Sequence, residues 1–292
     1  NNNNKMIHWT VFISTYLLSA CLVQAYDSSY NLDLSKRYVT FSGAAYCTDQ
    51  TLKRNTVNDW SCSACKSYPH VTATSVHGKS NDANGFVGYD SDANEIIVSF
   101  SGTNPLSIQN WIDDLDFFQT AYPYCSDCQV HRGFYNTYLS VDSQVKELVK
   151  NFTSQHPSAS LAITGHSLGA AMAAHCAAEL VHSGYKIKTV YSYGMPRVGN
   201  EAFEKWYVSV VPGTFRLVHH KDPVPHLPPS NWNFHHMPYE VFYTSDYKQW
   251  KLCNAEGEDS SCSDQYAVDL NVDNHLHYND MNFTTNYLSC EL

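Results

Sequence analysis

The chain has 292 residues and a formal net charge of −10, and 43% of its residues are hydrophobic. That size and apolar share exclude a disordered chain, and suit one sizeable α/β domain or at most two small ones. The acidic balance, with Lys and Arg scattered, argues against a nucleic-acid partner and against strong adhesion to anionic lipid surfaces.

The N-terminus reads as an exported leader. Lys5 and His8 make a weakly positive start, residues 9–22 are mostly apolar, and Val23-Gln24-Ala25 offers small residues for cleavage after Ala25. Ser14, Thr15 and Ser19 interrupt the run, which falls short of the ~20 apolar residues of a membrane anchor. The expected division is therefore an extension and secretory signal over residues 1–25 and a single domain over residues 26–292, secreted to the extracellular space, with no membrane span. Cys21 falls in the leader. The remaining nine cysteines are an odd number, so at least one thiol is free or pairs between chains. Cys176, in an Ala-rich run, reads as a buried thiol. Cys62-x-x-Cys65 and Cys125-x-x-Cys128 have zinc-ribbon spacing, but the pairs lie far apart and an exported protein meets an oxidising compartment, which favours local disulfides. Asn151-Phe152-Thr153 and Asn282-Phe283-Thr284 are glycosylation sequons.

In chain order, residues 34–46 read as a helix and lead into a loop with the first Cys pair. Residues 86–89 and 95–101 are predicted strands around a turn, and Ile96-Ile97-Val98 has the composition of a buried one. Residues 104–113 form a short amphipathic helix, with Leu106, Ile108, Trp111 and Ile112 apolar. Phe134, Tyr138, Val141, Val145 and Leu148 have helical spacing over residues 133–150. Residues 160–164 are a short strand and residues 168–182 an Ala-rich helix stopped by Ser183-Gly184. A strand (189–193), a helix (200–211) and strands at 214–219 and 240–244 follow. The alternation predicts α/β layering around a central sheet.

Gly165-His166-Ser167-Leu168-Gly169 fits Gly-x-Ser-x-Gly and lies between a predicted strand and a predicted helix, the setting of a nucleophile elbow. A Cβ at 165 or 169 is expected to clash with the neighbouring strand or helix, and the serine sits at a helix N-terminus that favours developing negative charge.

The same run resembles the fungal-type secreted triacylglycerol lipases, the class 3 lipase family, and the resemblance extends over nearly all of the chain after the leader. It is carried by Ala44-Ala45-Tyr46-Cys47, by Ser101-Gly102-Thr103 followed by Asn110-Trp111-Ile112-Asp113-Asp114-Leu115, and by Val130-His131-Arg132-Gly133-Phe134. It continues through Tyr193-Gly194-Met195-Pro196-Arg197-Val198-Gly199-Asn200, Lys221-Asp222-Pro223-Val224-Pro225-His226-Leu227-Pro228-Pro229 and His275-Leu276-His277-Tyr278. It implies an α/β-hydrolase fold: a central mixed, mostly parallel sheet flanked by helices, with a short helical lid.

The fold's chain order is Ser, then Asp, then His. Among the downstream carboxylates Asp222 follows a predicted strand in a proline-rich loop and matches the family's acid. The base is His275 or His277, two apart. The family's His-Leu-x-Tyr ending falls on His275, and His277 takes the variable position. His219, His220, His235 and His236 read as loop and wall residues. Leu168 N–H is one oxyanion donor by elbow geometry, and the resemblance implies Thr103 as the second. The family often has Arg-Gly before that position; here it is Ser101-Gly102, which removes an ion pair or hydrogen bond near the hole. The resemblance also implies that residues 104–113 are a lid, closed over the serine and opened at an oil–water interface, and that Cys47–Cys290, Cys62–Cys65, Cys125–Cys128 and Cys253–Cys262 pair. No metal or organic cofactor is needed.

The expected activity is hydrolysis of acylglycerol esters by a secreted monomer, with a phospholipase A1-type or other esterase of the same fold as the alternative. Readings of other classes are a catalytically inactive lipase-fold protein that binds lipid or carbohydrate, and a cysteine-rich zinc protein. The full set Ser167, Asp222 and His275 argues against the former, and metal analysis distinguishes the latter.

Overall fold

The computed structural model describes residues 30–290 except 53–54, 79–82, 212, 256 and 267. The leader expected over residues 1–25 lies outside the described residues. By internal contacts Leu34–Leu292 forms one compact unit. It holds the whole sheet and the candidate site.

Eight strands make the main sheet: β1 (Val71–His77), β2 (Asn84–Asp90), β3 (Glu95–Phe100), β6 (Ser160–His166), β7 (Thr189–Tyr193), β8 (Thr214–His219), β9 (Glu240–Tyr243) and β10 (Trp250–Leu252), in that spatial order. β4 (Gln119–Ala121) pairs with β5 (Gln129–His131), and β11 (His277–Tyr278) with β12 (Met281–Asn282). From β3 to β9 the pairing is parallel, and β1, β2 and β10 pair antiparallel at the edges. β3, β6, β7 and β8 are short apolar-rich runs buried along nearly their whole length, as parallel strands covered on both faces must be. This is the α/β-hydrolase layout.

Among the described residues the α-helices are α1 (Leu32–Ala45), α2 (Ile108–Asp114), α3 (Arg132–Leu139), α4 (Asp142–Gln155), α5 (Leu168–His182), α6 (Glu201–Val210), α7 (Val272–His275) and α8 (Phe283–Ser289). α5 is buried from Leu168 to Leu180. Its alanines let it lie close to the strands on one side and to α3 on the other.

Two differences from the sequence reading have local causes. The single helix expected over residues 133–150 is two helices, broken at Ser140-Val141. Ser140 Oγ donates to Thr137 O at 2.7 Å and competes with the helical ladder, while Asp142 opens α4 by accepting from Tyr138 Oη at 2.7 Å. The apolar spacing continues across the break, because Tyr138, Val141, Val145 and Val149 are all buried. The second difference is β1, which the sequence reading lacked. It is a Thr-rich edge strand in which only Val71 and Val76 are buried, so it carries no apolar signal.

Among the described residues four disulfides are present: Cys47–Cys290, Cys62–Cys65, Cys125–Cys128 and Cys253–Cys262, with Cys176 free and buried. No helix among the described residues is long and apolar enough to cross a membrane.

Burial holds three histidines neutral. It lowers His166 and His236 well below 6.5 and His175 to about 3. The unfolded chain takes up these protons near 6.5, so stability is full above that pH and falls as pH drops below it, by up to ~1.4 kcal/mol per pH unit for each histidine. Urea unfolding between pH 8 and pH 5 should show a plateau and then this decline. An unchanged midpoint across that range would contradict the buried neutral state.

Candidate active site

The parallel strands end on one rim, and their C-terminal ends carry the site, as open α/β sheets place it. β6 ends at His166 and α5 begins at Leu168, leaving Ser167 as the single residue of the turn, at φ 60° and ψ −129°. That backbone state is rare for a side-chain-bearing residue and costs on the order of 1–3 kcal/mol unless its surroundings impose it. They do so here. Ser167 N–H donates to Tyr193 O at 2.9 Å, and Ser167 O accepts from Ala170 N at 2.9 Å. A Cβ on Gly165 would lie 2.2 Å from Gly169 O, and one on Gly169 would lie 2.3 Å from Phe100 O. The first glycine thus admits the helix and the second admits the end of β3, the two clashes expected from sequence.

Asp222 follows β8 and is fully buried. Its carboxylate accepts from His275 Nδ1 at 2.9 and 3.0 Å, from Tyr278 Oη at 2.5 Å and from Val224 N at 2.8 Å. A carboxylate only accepts, so His275 carries its proton on Nδ1 and Nε2 is left with a lone pair. His275 is the last residue of α7, whose first turn Asn271 caps. His277 starts β11 instead and bonds Asp273 O at 2.7 Å and Asn282 Nδ2 at 2.5 Å. The helix end turns the chain between the two histidines, so they share no face and only His275 meets Asp222.

His166 braces this arrangement. Its Nε2–H donates to His275 O at 2.8 Å and its Nδ1 accepts from Tyr46 Oη at 2.6 Å. A carbonyl cannot donate, so the tautomer follows from the partners. The ring also stacks on Phe283 at 3.6 Å.

Ser167 Oγ, His275 Nε2 and Thr103 Oγ1 are buried side-chain atoms without a hydrogen-bond partner. Such atoms cost ~1–3 kcal/mol each, and a catalytic role is one of the reasons native structures keep them. Ser167 and His275 are therefore not hydrogen-bonded to each other in this state. Leu168, the first residue of α5, has an N–H with no intrahelical acceptor. Ser101, where the resembled family often has Arg, bonds the neighbouring strand through both N–H and Oγ to Asn84 O, at 3.0 and 3.3 Å.

The segment expected as a lid leaves β3 through Thr103. A 3-10 turn (Pro105–Ser107) and α2 form it. Ile108 is buried, Trp111 and Ile112 are half-buried, and Leu106 is 62% exposed, so the apolar side of the segment is divided between protein and solvent. Trp111, Leu115, Phe134 and Leu168 line a cavity of about 210 Å³ beneath it. His131 caps α3 through Nδ1, at 3.1 Å from Phe134 N, and donates from Nε2 to Asp116 O at 2.6 Å.

His219 and His236 are buried and bond backbone carbonyls, and His235 bridges Gly199. Two of the four histidines read as loop and wall residues are thus structural members of the interior.

The family profile described as Lipase (class 3) matches residues 97–232. A lipase of Rhizomucor miehei is 32% identical over 251 residues, which is 82% of this chain and 66% of that relative. A secreted mono- and diacylglycerol lipase A of Penicillium cyclopium is 30% identical over 235 residues, 79% of this chain and 76% of the relative. This chain belongs to the class 3 lipases. A solved triacylglycerol lipase whose catalytic centre is formed by a serine protease triad superposes with a TM-score of 0.79 at 31% identity, over 88% of this chain and 97% of the other. The chain of this class 3 lipase spans 66% of the length of the Rhizomucor relative.

Besides His166, two residues of the site had no role in the sequence reading, although all three lie in motifs it quoted. Tyr278 donates to Asp222 while accepting from His219 N at 3.2 Å, and burial, then the Asp222 charge, pushes its phenol well up and keeps it a donor. Gly194 sits at φ +57°, and a Cβ there would lie 2.8 Å from both Asp222 Oδ2 and His275 Nδ1. Gly194→Ala should therefore displace the Asp–His pair. The expected loss in kcat on ester substrates is about a hundredfold, the cost typical of a ~1 Å displacement. Steady-state kinetics on a soluble ester check it, and wild-type kcat would contradict the packing described.

Proposed function

We propose that this class 3 lipase hydrolyses acylglycerol esters through an acyl-enzyme on Ser167. His275 Nε2 takes the proton from Ser167 Oγ as that oxygen attacks the ester carbonyl. Asp222 holds the imidazole and stabilises its charged form, and Tyr278 and Val224 N–H hold Asp222. The oxyanion is received by Leu168 N–H and by Thr103, through its N–H and hydroxyl. Collapse expels the glyceride alcohol, which takes the proton from His275. Water, deprotonated by the same Nε2, then attacks the acyl carbonyl; the bond to Ser167 Oγ breaks, that oxygen takes the proton back from His275, and the fatty acid leaves.

The observation that carries this reading is the set of buried, unpartnered polar atoms at Ser167, His275 and Thr103. Each lacks only the partner that an ester and its tetrahedral intermediate supply. The names of the relatives, a lipase and a secreted mono- and diacylglycerol lipase, support glyceride esters as substrate and export as destination. The half-buried apolar residues of α2 above the cavity support an opening segment that meets lipid. One short helix is easily displaced.

Hydrolysis of emulsified triacylglycerol, a phospholipid and a soluble short-chain ester should be compared for wild type and Ser167→Ala. The emulsion should be the preferred substrate, and Ser167→Ala should lose several orders of magnitude on all three. A wild type inert on all three, or a Ser167→Ala variant as active as wild type, would falsify the proposal. Preference for the phospholipid would reassign the substrate to the phospholipase alternative.

A further inference from the structure

The segment proposed as a lid starts at Asn104, the residue after Thr103. Its carbonyl accepts from Ser107 N at 2.9 Å and its Oδ1 accepts from Leu106 N at 2.9 Å, so one residue caps the segment's first turn. The other group of the same side chain, Nδ2–H, donates out of the segment to Tyr287 Oη at 3.1 Å. Tyr287 Oη donates in turn to Asp49 Oδ2 at 3.1 Å, and Asp49 Oδ1 accepts from Thr51 N and Thr51 Oγ1 at 2.8 Å each.

Asp49 and Tyr287 come from opposite ends of the domain. Each lies close in sequence to a member of one disulfide: Cys47 precedes Asp49, and Cys290 follows Tyr287. The covalent link keeps the two in hydrogen-bonding register. At the far end of the segment His131 holds Asp116 O. The residues between are held at these two posts.

We propose that Tyr287 is a positioning residue. Through Asn104 it fixes the pivot of the lid segment, and with it the adjoining oxyanion donor Thr103. The Cys47–Cys290 bridge, α8 and the oxyanion hole then act as one unit. The proposal rests on the roles given above to Ser167 and Thr103. A donor aimed at the transition state loses its effect with small displacements, so a single hydrogen bond remote from the serine acts on kcat.

Tyr287→Phe removes one hydroxyl and keeps the ring. Its kcat on a soluble ester should fall about three- to tenfold, the range of one net hydrogen bond. KM should stay within about twofold, since ground-state binding is untouched. Asp49→Asn retains an acceptor for Tyr287 and should stay near wild type, whereas Asp49→Ala should follow Tyr287→Phe. Asn104→Ala combined with Tyr287→Phe should be no worse than the more damaging single change, because both break one link. Melting temperatures measured alongside separate positioning from folding. Unchanged kcat in Tyr287→Phe, additive losses in the double variant, or losses that track melting temperature alone would overturn the proposal while leaving Ser167 catalysis intact. A wild type that does not depend on Ser167 would overturn both.

Discussion

A carboxylate buried completely must be fully hydrogen-bonded or it costs several kcal/mol, and Asp222 meets that condition with His275 Nδ1, Tyr278 Oη and Val224 N. Satisfying this one charge fixes much of the site. It sets the tautomer of His275 and leaves Nε2 as the only open position on the ring. It requires Gly194 at the crowded strand end beneath it. It also accounts for the conformation of the chain after Asp222, whose turn brings Val224 N–H back to the carboxylate.

The scaffold divides the work between rigid and added parts. The ends of β3, β6 and β8 supply Thr103, Ser167 and Asp222, so three of the five proposed groups have positions set by the sheet register. Leu168 comes from the helix that β6 leads into. His275 belongs to the C-terminal tail, outside the sheet, and is held by side chains instead: Asp222 on its ring and His166 on its carbonyl. The same tail carries Tyr287 to the lid pivot and closes on the N-terminal helix through Cys47–Cys290. The tail is thus where the proposed base, oxyanion donor and lid segment meet, and the disulfide ties it to the N-terminal helix.

What the sequence disclosed follows from how local each signal is. Gly165 and Gly169 frame a strand-to-helix turn whose steric demands are written within five residues, so the elbow was legible. The buried strands were legible from short apolar runs, and α5 from its alanines. β1 was not, because an edge strand facing solvent carries Thr and Ser in place of apolar alternation. The break at Ser140 was hidden because the apolar period runs through it. Asp222 and His275 were legible only through chain order and resemblance, since nothing local distinguishes His275 from His277. The distinction arises because α7 ends between them. Tyr278, His166 and Gly194 act across 28 to 120 residues of separation, and such pairings have no periodic trace.

The central claim is that Ser167 is activated by a histidine held on a buried aspartate. Its most direct measurement is covalent trapping with an alkyl phosphonate ester, followed by peptide mass spectrometry, in wild type and His275→Ala. The account predicts one adduct, on the peptide containing Ser167, formed at least a hundredfold more slowly in the variant, in line with the effect of a general base. An adduct on another residue, or equal rates in the two proteins, would contradict it.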